Sequence, residues 1–128
     1  MSYNIIAVNA ARMAVAQKIN PLQAWQTCAK AMYQKLHASE KKPCPKNAFL
    51  GLCDEGKVQG IAPGKYSRSI DNKRYALRAL ELISNSRNRD FISSELWSEV
   101  LKSEADKGKR HNGQMDVVIG LWDAGLIN

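Results

Sequence analysis

By type and neighbourhood, Cys44 is the residue of this sequence best placed to do chemistry. It precedes Pro45 at an expected helix start, with Lys41, Lys42 and Lys46 close by. The partial positive charge of a helix N-terminus, added to those lysines, favours thiolate over thiol. A nucleophilic thiol also needs a base held at a fixed distance, and neither His37 nor His111 has a spacing that ties it to Cys44. A structural or incidental thiol accounts for the same residue without any partner. Cys28 and Cys53 fall on apolar helical faces and read as core. His37, Cys44 and Cys53 are too far apart for a zinc pattern, and no Cys-x-x-Cys or paired-histidine motif occurs. Phosphate loops, dinucleotide fingerprints and nucleophile elbows are missing too. The sequence thus names no catalytic residue, metal site or cofactor, and it leans away from an enzyme.

Basic side chains are the second candidate. The formal net charge is +7, and no Asp or Glu occurs before Glu40. One basic stretch holds Lys57, Lys65, Arg68, Lys73, Arg74 and Arg78 against Asp71 alone, and a later loop holds Lys109 and Arg110. Such an excess attracts nucleic acid, an anionic membrane or an acidic protein. Tyr66, inside the first stretch, has a ring on which a base can stack. The bland alternative is a solvated surface that keeps the protein soluble. Asp54 and Asp123 recur at matching places near helix ends, where a negative charge is mildly unfavourable, so a structural hydrogen bond is expected of them.

These residues must be positioned by helices. At 128 residues, with 45% hydrophobic and 24% charged content, the chain suits one globular domain. No apolar run approaches the roughly 18 residues of a membrane span, and the alanine-rich start lacks the basic head of a signal peptide. Three cysteines, an odd number, do not make a disulfide scaffold, so a reducing cytoplasm is the expected compartment. Helical periodicity places Ile6, Ala10, Met13 and Ala14 on one face of a first helix. Asn20-Pro21 opens a second, with Trp25 on its apolar stripe. A third opens at Pro45 and stops at Gly56. Gln59 to Ser69 reads as a linker with a type II turn at Pro63-Gly64. A fourth helix starts after Ser69, a fifth near Ser93, and a sixth runs from Gln114 to Ala124.

An offset of 69 residues aligns Ala7 with Ala76, Gly51 with Gly120, Asp54 with Asp123, Gly56 with Gly125 and Val58 with Ile127. An offset of 72 pairs Trp25 with Trp97. The expectation is an all-α, bundle-like domain of about six helices, built as related halves (1–58 and 70–128) joined by a linker (59–69). The third and sixth helices are apolar on nearly every face and belong inside. Gly51 and Gly120, costly inside helices, suggest that these two helices cross there. Each half also suggests a helix-turn-helix unit, but its last helix is too apolar to read base edges.

From Cys44-Pro45-Lys46 to Gly60-Ile61, the chain resembles a family of small uncharacterised bacterial proteins. The likeness continues through Tyr66-Ser67-Arg68-Ser69 and Tyr75-Ala76-Leu77 into the tryptophan-bearing fifth helix. The resemblance implies no activity and no functional residues, because the family has none assigned. Three readings follow from the residues alone. The first is a non-enzymatic module for an anionic partner such as nucleic acid or an acidic protein. The alternative is a protein-interaction or scaffolding module, a homodimer included. The third is a thiol enzyme using Cys44.

Overall fold

The computed structural model describes residues 3–36, 43–86, 90–104, 109 and 111–128. Its helices are α1 (Tyr3–Gln17), α2 (Pro21–Leu36), α3 (Pro43–Asp54), α4 (Ile70–Asn85), α5 (Ser93–Leu101) and α6 (Gln114–Asp123). The fold is all-α; among the described residues no strand forms, and extended pairing is confined to one antiparallel bridge, Val58 with Ile127. Helix α3 starts at Pro43, two residues before the expected Pro45.

Local chemistry sets the helix ends. The Asn20 side chain accepts from the Leu22 N–H at 2.8 Å, and Pro21 takes the first helical position, where a missing N–H costs nothing. Ser69 caps α4 by accepting from the Asn72 N–H at 3.2 Å. Gly113 precedes α6 with φ 87°, and a Cβ there would fall 2.6 Å from the Tyr3 ring. Glycine cannot cap with a side chain, and His111 does so instead: its Nε2 accepts from the Met115 N–H at 3.0 Å.

The core runs through all six helices. On α1 it takes the small residues Ala7, Ala10, Ala11 and Ala14, which let neighbouring backbones come close. Every residue of α3 from Asn47 to Asp54 is buried. Helix α6 is less enclosed, with Ile119, Gly120 and Trp122 half-buried.

Helix α3 packs on α4 and α6, and α6 packs on α1, so each half completes its core with the other half's first helix. This corrects the expected glycine crossing. A Cβ on Gly51 would lie 2.7 Å from the Lys73 Cα, and one on Gly120 would lie 2.7 Å from the Asn4 Cβ. The glycines admit α4 and α1 respectively; they do not face each other. The offset of 69 that relates Gly51 to Gly120 also relates Asn4 to Lys73. Other contacts obey the same offset. The Gln59 N–H donates to the Leu126 carbonyl at 2.9 Å, and the Asn128 N–H to the Lys57 carbonyl at 2.8 Å. Lys57 N–H donates to Leu52 and Leu126 N–H to Leu121, both at 3.0 Å, past left-handed Gly56 and Gly125.

Candidate functional site

The segment from Gln59 to Ser69 is a strap fastened to α3. Asp54, the last residue of that helix, has a side chain only 5% exposed. Its carboxylate accepts from the Tyr66 N–H at 2.5 Å, the Ser67 N–H at 3.3 Å and the Ser67 hydroxyl at 2.5 Å. The Lys73 ammonium stands 3.5 Å away. A buried carboxylate is tolerated when donors converge on it in this way. The Asp54 carbonyl takes the Gly64 N–H at 3.2 Å, and Asn47 Oδ1 takes the Arg68 N–H at 3.0 Å. Ile61 is buried beneath the strap. The expected type II turn is not present, because Gly64 is not among the glycines with positive φ. What requires glycine there is Tyr66: a Cβ on Gly64 would lie 2.8 Å from the ring. Tyr66 itself is half-buried, with its hydroxyl donating to the Ala62 carbonyl at 2.7 Å.

Between the strap and α1 runs a groove. One part is lined by Val15, Lys18, Asn20, Gly60 and Tyr66, the other by Arg12, Val15, Gln59, Gly60 and Leu126. The shared Val15 and Gly60 join the two parts, and Gly60 (φ 81°) is fixed by the Val15 methyl, 2.7 Å from where a Cβ would sit. Lys18 has φ 56°, the left-handed position that ends α1, with the Ile19 N–H donating to the Ala14 carbonyl at 3.2 Å. Glycine is the usual occupant of that position.

The candidate cations separate into two sets. Those on and beyond α4 are neutralised. Lys73 pairs with Glu55 at 2.7 Å, a hydrogen bond that pushes its pKa up. Arg74 meets Asp71 at 2.9 Å and Glu104 at 2.6 Å, and its guanidinium holds both carboxyls below their usual range. Arg78 pairs with Glu81 at 2.6 Å, and Lys109 stands 3.5 Å from Asp71. Lys57, just before the strap, and Lys65 and Arg68 within it are exposed and make no ion pair among the described residues. The same is true of Arg12, Lys18, Lys30 and Lys46 in α1, the αL position and helices α2 and α3, Lys46 being half-buried. Each described cation of the second half has an acidic partner, and none of the first half does. Arg110 lies outside the described residues.

Cys44 sits half-buried in the first turn of α3. His37, Lys41 and Lys42 lie outside the described residues. His111 caps α6 against Trp97, with ring centroids 5.5 Å apart, and burial pushes its pKa down. Burial also pushes the Cys28 and Cys53 thiols up, away from reactivity. Among the described residues no three His, Cys, Asp or Glu side chains gather as metal ligands, and no helix is long and apolar enough to cross a membrane.

A family model of unknown function, DUF6979, matches residues 1–128. The chain belongs to the DUF6979 family. No curated protein and no solved structure matches it. Sequence reasoning named the strap cations but passed over Arg12 and Lys18 as site residues. Their signal was present: Arg12, Val15 and Lys18 recur every third residue, which places them in one row along the first helix.

Proposed function

We propose that this DUF6979 protein is a non-enzymatic module that binds an anionic partner, in the first place single-stranded nucleic acid, along the groove between α1 and the strap. The observation that carries this reading is the segregation of charge. Asp54 and Glu55, the described acids of the first half, are both occupied by Lys73 reaching over from α4. The positive charge of Arg12, Lys18, Lys57, Lys65 and Arg68 is left uncompensated; Arg12 and Lys18 line a groove with an apolar floor, and the other three lie on or next to the strap that forms its far wall. Helices α1, α2 and α3 also carry no acid in their first turns. A phosphate backbone meets such cations without needing sequence-specific contacts, and bases can rest on the apolar floor.

The test is fluorescence anisotropy with a labelled single-stranded oligonucleotide over a range of salt. Affinity should fall steeply with salt, and the triple substitution K57A/K65A/R68A should weaken it roughly tenfold or more at low salt. The matched triple R74A/R78A/K109A, which removes cations already neutralised, should leave affinity nearly unchanged. Absence of binding at low salt overturns the nucleic-acid reading. Binding of polyglutamate under conditions where the oligonucleotide fails would assign the groove to an acidic protein.

A further inference from the structure

The groove between α1 and the strap is pinched at its middle. A Cβ on Gly60 would lie 2.7 Å from a Val15 methyl, so the Gly60 backbone and the Val15 side chain touch across the groove. Both residues line both of its parts. Val15 thus forms a ridge between two hollows, and it stays 43% exposed there, a large apolar side chain that the core does not cover. The hollows are furnished alike. On one side Ile19, Ile61 and the Tyr66 ring supply the apolar lining and Lys18 the charge. On the other, Ala11 and Leu126 supply the lining and Arg12 the charge. Arg12 and Lys18 stand three residues before and three after Val15.

Given the nucleic-acid reading of the groove, on which this rests, we infer that Val15 is a wedge between two consecutive bases. The groove then selects single strands whose bases unstack readily, pyrimidine runs above purine runs. A strand laid along α1 places one base in each hollow, and Arg12 and Lys18 meet the phosphates on either side of the step. Apolar side chains that enter a base step unstack it. Two bases parted by the Val15 isopropyl group lose their mutual stacking, a loss largest for adenine and smallest for thymine or uracil. Contact with the Tyr66 ring offsets the loss on one side only. Stacking strength, rather than any hydrogen bond to a base edge, is what such a groove reads.

The experiment is fluorescence anisotropy on the full-length protein with labelled oligothymidylate and oligoadenylate of equal length, at one low salt concentration. Oligothymidylate should bind about fivefold more tightly. Oligoadenylate is also stiffer in solution, which disfavours it at any site, and Val15→Ala separates the two causes. Alanine suits a helix and Val15 lies outside the core, so the variant keeps its fold. Without the ridge the preference should shrink to less than about twofold, while the salt dependence stays that of the parent. Val15→Leu, which keeps a ridge, should keep the preference. A 2-aminopurine within the oligoadenylate should brighten on binding the parent, as its neighbours unstack, and brighten less with Val15→Ala. Salt-sensitive binding of both strands with equal affinity, or a preference that survives Val15→Ala, would overturn the wedge and leave the groove reading standing. Failure of both strands to bind would overturn the two together.

Discussion

Helices α3 and α6 end on the same backbone geometry, an aspartate followed two residues later by a left-handed glycine, yet their aspartates live in opposite environments. Asp54 is buried and takes donors from the strap and from Lys73. Asp123 stands exposed at the lip of a cleft. The helix end does not decide whether its carboxylate is core or surface; what crosses over it does. Charge follows the same division. The strap and α1 carry cations without partners, whereas every cation of α4 has one, Lys73 at Asp54 and Glu55 at the end of α3, and Arg74 and Arg78 at acids of the second half. Among the described residues, then, unpaired cations gather in the first half, while Asp90 and Asp123 of the second half stand unpaired.

The sharpest way to break this comparison is to truncate the two aspartates. Asp54→Ala leaves two backbone N–H groups and the Ser67 hydroxyl without their acceptor and removes one of the carboxylates beside Lys73. The expected loss is about 3 kcal/mol, the scale for removing one member of a buried charged network. Asp123→Ala should change stability by no more than about 0.5 kcal/mol. Urea denaturation of both variants measures the difference. Equal midpoints would mean that the strap contributes little, and the distinction between the halves would fail.

Much of this scaffold was legible in the residues. Helical periodicity, the Asn20-Pro21 and Ser69 starts and the glycine stops are local signals, and the helices follow them. The offset of 69 picked out Val58 and Ile127, which meet in the bridge. What could not be read is which surface meets which. Gly51 and Gly120 were correctly suspected of close approach, but a glycine's need for space carries no record of its neighbour, and the neighbours are Lys73 and Asn4. Ser67 and Asp54 are 13 residues apart and match no motif, so the clamp that turns a glycine-containing stretch into a strap had no signature. The pairing of Arg74 with Glu104 across 30 residues was equally hidden, and with it the division of the basic candidates into neutralised and unpaired.

The two helix starts sharpen the comparison at intermediate size. Helix α3 begins with Pro43 and Pro45, which have no N–H to satisfy, while α6 relies on the neutral His111 ring to accept from Met115. Burial lowers the His111 pKa, so the unfolded chain binds that proton more readily than the folded one. The His111 contribution is therefore complete above the ordinary histidine value, about 6.5, and declines as pH falls through it towards the lower folded value. Between pH 7 and pH 5 the melting temperature should drop, and His111→Gln should flatten that dependence. An unchanged slope in the variant would remove His111 as the cause.

The smallest effect concerns the ends of the two first helices, and it ties stability to binding. Helix α1 ends through Lys18 at φ 56°, whereas α4 ends through Ser86 at φ −126°. A lysine in the left-handed region costs energy that glycine does not, although glycine also gives the unfolded chain more freedom. Lys18→Gly should therefore stabilise by only about 0.5 kcal/mol. The corresponding Ser86→Gly, at a negative φ, has no strain to relieve and should not stabilise. If Lys18 serves the groove, its loss must appear elsewhere: oligonucleotide affinity should fall, and the salt dependence should lose about one phosphate contact. A variant that gains stability and binds as before would leave Lys18 as a helix end alone and confine the basic site to the strap.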